Sequence, residues 1–200
     1  RIGIFGGSFN PVHNGHIHLA KTAAAEFSLD RIFFVPSRIS PHRSMTEYAA
    51  AEDRLEMLRL ACANEPLFEV CDYELRSDRV SYTIYTSEYF RSRFPDDELF
   101  LLVGSDMLLS FDKWFCYEKI LAQASLCVIS RHEGDSAELK KKSQELKKLG
   151  KIYVSKSLPL VISSTEIRKK IAKNKDFTCY LDKNVVQYIR LKGLYSLRGD

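Results

Sequence analysis

Short apolar and β-branched runs recur along the chain at Ile2–Phe5, Arg31–Val35, Leu67–Cys71, Leu99–Val103, Leu126–Ser130 and Lys151–Ser155. Between them the apolar positions fall at helical spacing, over His16–Phe27, Ala50–Ala63, Ser81–Phe94, Glu138–Leu149 and Thr165–Ala172. A last helix is expected at Lys183–Leu191, stopping at Gly193. Continuous apolar strands alternating with amphipathic helices predict an α/β fold, a Rossmann-like three-layer sandwich with a central, mostly parallel sheet covered on both faces. Right-handed crossovers would place ligands at the carboxyl ends of the strands, where the winding reverses. No repeat and no shift in composition marks a boundary, so residues 1–200 read as a single domain with a closing helix at about 183–192. The Pro36–Met45 loop and the His132–Ala137 stretch read as insertions in it.

Composition narrows the class. Hydrophobic residues make up 45% of 200 and there are 6 prolines, which argues against disorder. No stretch approaches the roughly 20 apolar residues of a membrane span, and the run at Arg1–Phe5 meets glycines at once, so a cytoplasmic protein with no membrane partner is expected. Five cysteines without a CxxC pair fit buried reduced thiols better than a disulfide framework. Thirty basic against 26 acidic residues give a net charge of +4, with part of the excess in Lys140–Lys142 and Lys147–Lys148. Without interleaved aromatics these runs read as a solvated helix face, and no nucleic-acid partner is expected.

Three clusters carry chemistry, and each follows a predicted strand. The densest is Gly6-Gly-Ser-Phe-Asn-Pro-Val-His-Asn-Gly-His16. Glycines at the strand end allow a sharp turn or close approach to an oxyanion. The run fits neither GxGxxG nor GxxxxGK[ST], so neither a dinucleotide fingerprint nor a Walker A loop is indicated. His13 and His16 near a helix start can add directed donors to an anion site made by helix N–H groups. A zinc site needs three or four ligands, and no nearby cysteine or carboxylate cluster supplies them. His18 points elsewhere and reads as a surface or packing residue.

The second cluster is Pro36-Ser-Arg-Ile-Ser-Pro-His-Arg43, a proline-stiffened loop in which Arg38, His42 and Arg43 can carry positive charge. The third is Ile162-Ser-Ser-Thr-Glu-Ile-Arg168, where Ser163, Ser164 and Thr165 open a helix and Arg168 lies one turn inside. Two further elements follow strands or open helices. Ser81-Tyr-Thr-Ile-Tyr-Thr86 begins a helix, with Ser81 a natural N-cap. Gly104-Ser-Asp106 precedes the lone Trp114; Gly104 leaves room for a ribose or base, and Asp106 can accept a hydroxyl or help hold hydrated magnesium.

Together these residues resemble the HxGH nucleotidyltransferase superfamily, and in detail the bacterial nicotinate-nucleotide adenylyltransferase family. The resemblance rests on the Gly6–His16 run, Pro41-His42-Arg43, Arg54-Leu-x-Met-Leu58, Ser81-Tyr-Thr83, Gly104-x-Asp106 with Trp114, the Ile-Ser-x-x-x-Ile-Arg pattern ending at Arg168, and Val186-x-Tyr-Ile189 with Gly193-Leu-Tyr195. It departs at Arg43, where the family usually has lysine. It implies that His13, His16 and Arg168 are catalytic. It implies that Gly6, Gly7, Ser8, Phe9, His16, Arg43, Gly104, Asp106, Ser163, Ser164 and Arg168 bind ATP. The acceptor would meet Ser81, Tyr82, Thr83, Trp114 and His42.

The implied reaction transfers AMP from ATP to nicotinate mononucleotide, giving deamido-NAD and pyrophosphate, with Mg²⁺ held mainly by the ATP phosphates. A homo-oligomer is compatible with the sequence. The rival of the same class is a transferase for nicotinamide mononucleotide or phosphopantetheine, which the Ser81–Thr83 and Trp114 elements argue against. The rival of another class, a nucleic-acid-binding module, would bind oligonucleotides in a salt-sensitive way and release no pyrophosphate from ATP.

Overall fold

The computed structural model describes residues 1–38, 49–129, 136–155, 157 and 160–196. His42 and Arg43 lie outside the described residues, as do most of the two stretches expected to be insertions.

Six strands form one all-parallel sheet: β1 (Ile2–Gly7), β2 (Arg31–Pro36), β3 (Phe68–Val70), β4 (Leu99–Gly104), β5 (Ser125–Ile129) and β6 (Ile152–Val154). Their order across the sheet is β3-β2-β1-β4-β5-β6. The winding runs outward in one direction from β1 and in the other from β4, so the reversal lies between those two strands, with Ile2 opposite Leu99. That order is the doubly wound arrangement in which a crevice opens beyond the carboxyl ends of the central strands.

Both sheet faces are buried, and the strands alternate between two cores with a period of two. Phe5, Ile32, Phe34, Phe100, Leu102, Cys127 and Ile129 face one core. Helices α1 (Asn14–Phe27), α2 (Ala51–Cys62), α7 (Ser164–Ala172) and α8 (Lys183–Lys192) cover it with Leu19, Ala23, Leu58, Ile167 and Val185, among others. Ile4, Phe33, Val35, Leu101, Val103, Leu126 and Val128 face the other. There α3 (Thr83–Arg93), α4 (Ser105–Leu109), α5 (Tyr117–Gln123) and α6 (Ser136–Leu146) contribute Ile84, Phe90, Leu108, Ile120, Leu139 and Leu146.

All six expected strands are present, and β1 runs two residues further, through Gly7. The pattern of the sequence missed α4 and α5. Five and seven residues give too few turns for a helical period to register, and a 3-10 turn at Phe111–Lys113 breaks the stretch between them. Helix α3 begins at Thr83 with Tyr82 in the N-cap position, so Ser81 is not its cap, contrary to expectation. Helix α8 is capped by Asp182, whose carboxylate accepts from the Asn184 N–H at 2.7 Å, and it ends at Gly193 in the left-handed conformation (φ 61°) that glycine adopts without penalty. The lysine run on α6 leaves Lys140 and Lys141 in solvent, while Lys142 pairs with Asp112 at 2.8 Å. No helix among the described residues is long and apolar enough to cross a membrane.

Cys62 and Cys127 are buried, and burial pushes both thiols up to about 12, whereas Cys179 is exposed. Because the thiolate is the reactive form, iodoacetamide at pH 8 should modify Cys179 in the folded protein and reach Cys62 and Cys127 only on unfolding. Peptide mass spectrometry with and without urea reads this directly.

Candidate active site

The turn between β1 and α1 leaves the sheet as irregular chain, and its carbonyl groups need donors from elsewhere. Arg54 of α2, 1% exposed, supplies one to Ser8 O at 2.8 Å and ties the turn to two other segments, donating to Ser37 O just after β2 at 2.7 Å and to Ala49 O before α2 at 3.3 Å. Arg168 of α7 donates to Asn10 O at 2.9 Å, and the Ser164 hydroxyl donates to Pro11 O at 3.0 Å. The Asn10 amide oxygen accepts from the Ala49 N–H at 3.0 Å and from the Tyr195 hydroxyl at 2.8 Å. Phe9 occupies the left-handed region (φ 46°) while 1% exposed. Such a backbone costs roughly 1–3 kcal/mol, and the surrounding bonds hold it in place.

Phe9 is the back wall for the histidines: its ring meets Phe5 edge-on at 5.4 Å and His16 at 5.1 Å. His13 is the N-cap of α1, and its N–H donates to His16 Nδ1 at 3.2 Å. The two imidazoles stack with centroids 3.7 Å apart and planes at 24°. The backbone bond occupies Nδ1 of His16, which leaves its Nε2 as the donor face of a neutral ring. Gly15 makes the stack possible: a Cβ there would stand 3.1 Å from His13 Nδ1 and 3.3 Å from Ile162 Cβ.

These groups open onto a cavity of about 670 Å³ above the β1/β4 junction. Of the expected site residues, Gly6, Gly7, Ser8, Phe9, His13, His16, Ser81, Tyr82, Thr83, Asp106, Trp114, Ser163 and Ser164 line it. Arg168 and Gly104 do not. Gly104 is buried as the N-cap of α4, and Arg168 turns its guanidinium to Asn10 O and to Thr165 Oγ1 at 3.4 Å, behind the wall formed by its own helix. His18 is exposed yet lies at the cavity lining, a place the sequence did not suggest.

Three helices aim their N-termini at this space. Helix α7 presents Ser163, Ser164 and Thr165, and Ser163 makes no side-chain cap bond. Helix α3 presents Tyr82 and Thr83, again without a side-chain cap. Together with α1 they supply N–H groups and positive dipole ends for anions. Lys113 is the one lysine or arginine in the lining among the described residues.

Two aromatic rings stand next to Lys113. Trp114 packs on Phe111 at 4.9 Å, and Phe115, half exposed, tilts against Tyr82 at 5.0 Å. Lys142 of α6 fixes the turn carrying them through Asp112, whose carboxyl it holds below the usual value. Asp106 is exposed on the wall at the start of α4, and no cluster of three His, Cys, Asp or Glu side chains that could cage a metal occurs among the described residues.

Sequence reasoning missed Arg54, which read only as part of an amphipathic helix, and Glu74, a carboxylate 8% exposed at the cavity. It also missed Lys113, Phe115, Leu160 and Val161. A charged residue on the apolar face of a helix was the available signal for Arg54; nothing local marks the others.

A family model described as cytidylyltransferase-like matches residues 4–170. A protein of Clostridium novyi named "Probable nicotinate-nucleotide adenylyltransferase" is 40% identical over 184 residues, 90% of each chain. Its namesake in Clostridium tetani is 37% identical over 195 residues, 96% of this chain and 97% of that one. The chain belongs to the nicotinate-nucleotide adenylyltransferase family. The structure of a Plasmodium falciparum nicotinic acid mononucleotide adenylyltransferase complexed with NaAD shares the fold, with a TM-score of 0.79 over 97% of this chain and 96% of that one at 23% identity.

For this member of the nicotinate-nucleotide adenylyltransferase family, two substitutions separate folding from function. Arg54→Met should lower stability by about 3 kcal/mol in urea titration, since several carbonyls lose a charged donor. Gly15→Ala would put a Cβ 3.1 Å from His13 Nδ1, so it should push the His13 ring aside and slow turnover about tenfold, with a far smaller loss of stability than Arg54→Met.

Proposed function

We propose that the chain transfers AMP from ATP to nicotinate mononucleotide, giving deamido-NAD and pyrophosphate. The observation that carries this reading is the His13–His16 stack at the head of α1, opening into the same cavity as the first turns of α3 and α7. Membership of the family supplies the acceptor.

In the reaction a phosphate oxygen of the mononucleotide attacks the α-phosphorus of ATP. The new bond is O–Pα, the broken one is Pα–O to the β-phosphate, and pyrophosphate leaves with the electron pair. A phosphate monoester is largely dianionic near neutral pH, its second ionisation lying at about 6, so the step needs no strong general base. Catalysis then rests on alignment and on donors aimed at charge that grows in the transition state.

His16 fits that task because its Nδ1 is engaged by the His13 N–H and its Nε2 is the donor. His13 is held beside it by the stack and by Gly15. The triphosphate lies against the Gly6–Phe9 turn and the open first turn of α7, where Ser163 and the helix N–H groups meet phosphate oxygens. An added Cβ at Gly6 meets nothing within 4 Å, so the glycine leaves open space where phosphate would pass. Arg168 acts from behind, holding Asn10 and α7 together, and Arg43 adds charge from the second loop.

Mg²⁺ accompanies ATP in this reading. The donor set fits, since Asp106 offers a single exposed carboxylate and Mg²⁺ is usually held by one or two carboxylates plus substrate phosphates. When bound, the ion would neutralise phosphate charge that Lys113, the one lysine or arginine in the lining among the described residues, leaves uncompensated.

On the acceptor side the pyridine ring lies by Trp114, and the uncapped N–H groups of Thr83 and Ile84 face its carboxylate, which nicotinamide lacks. Assay of pyrophosphate release with ATP, Mg²⁺ and a panel of phosphorylated acceptors tests the reading. Nicotinate mononucleotide should be turned over in preference to nicotinamide mononucleotide and phosphopantetheine; equal turnover of all three refutes the assigned acceptor. His16→Ala should lower turnover by roughly 10²–10³-fold with the fold intact, and near-normal turnover would remove His16 from the mechanism.

A further inference from the structure

Glu74 stands in the wall of the cavity, 8% exposed, in the segment between β3 and α3. Its carboxylate accepts a hydrogen bond from the Thr86 hydroxyl at 2.5 Å. Burial raises its proton affinity, and the Thr86 and Ser81 hydroxyls pull it back. The Ser81 hydroxyl oxygen accepts the Arg38 N–H at 3.1 Å, just past the end of β2. Arg38 itself reaches back to the same segment, donating to Leu75 O at 3.3 Å and pairing with Asp78 at 2.9 Å.

The wall needs this bracing. Glu74, Ser81, Tyr82 and Thr86 also line a second hollow of about 410 Å³ on their far side. These four residues therefore separate the two spaces.

We infer that Glu74 is the positioning residue of the acceptor pocket, gripping the first turn of α3 through Thr86 so that the start of that helix keeps its place in the cavity wall. The inference rests on the acceptor side proposed above. Thr86 lies in the first turn of the helix, so the carboxylate fixes the helix start to the segment between β3 and α3, while Ser81, just outside the helix, is tied to the end of β2 through Arg38. The ATP side, built on β1, α1 and α7, shares none of these bonds.

The test is steady-state kinetics on the full chain with ATP and nicotinate mononucleotide. Glu74→Met keeps the length but has no carboxylate oxygen to accept a hydrogen bond, so the Thr86 bond is lost. The acceptor KM should rise about tenfold, the equivalent of one such bond, while the ATP KM and kcat stay within about twofold. Thr86→Val, close in shape and lacking a single donor, should move the acceptor KM in the same direction. Parallel losses for both substrates with a lowered melting temperature would mean that Glu74 only supports the fold, and would overturn the inference. So would an acceptor KM unchanged in both variants while the wild-type protein is active. A wild-type chain that releases no pyrophosphate with this acceptor refutes the proposed function itself, and this inference with it.

Discussion

The site depends on how the carbonyls of one turn are satisfied. Where β1 ends, the chain runs irregularly from Ser8 to Val12 before α1 takes over, and its main-chain oxygens have no ladder to join. Arg54, Ser164 and Arg168 bond the carbonyls of Ser8, Pro11 and Asn10, and Tyr195 reaches the Asn10 side chain. Helices α2 and α7 and the chain beyond α8 are thereby tied to one loop. The strained Phe9 and the stacked histidines stand on that support.

This arrangement changes how positive charge reaches the phosphates. Among described residues the lining holds a single permanent cation, Lys113, and that cation stands beside Trp114. Two arginines nearby are turned to protein carbonyls. The remaining attraction comes from helix N-termini and imidazole donors, groups already oriented before a ligand arrives and therefore not needing to reorganise during reaction. A long flexible side chain would lose rotamer freedom on binding; a helix end loses almost none.

The fold was legible in the sequence because both faces of the sheet are buried, so every strand reads as an apolar run and every long helix as an amphipathic one. Elements too short to show a period, α4 and α5, were not. At the site, Gly6–His16 and Ile162–Arg168 were legible because glycine, histidine and helix-start serines are dense there, and the two segments do meet across one loop. The direction of an arginine is another matter. Arg54 and Arg168 point where carbonyls lack donors, and that depends on which loops the fold brings together. Glu74 was invisible for the same reason: its partner, Thr86, reads equally well as an ordinary residue of the helix start.

The bonds that close the β1–α1 turn also set an order of events during synthesis. Asn10 is made long before its partners Arg168 and Tyr195, which follow it by 158 and 185 residues. A ribosome can release β1, β2 and the helices that flank them long before either partner exists. Until the last helix has emerged, the nascent chain can hold much of its sheet and still lack the braced loop, so competence for chemistry arrives late and nearly all at once.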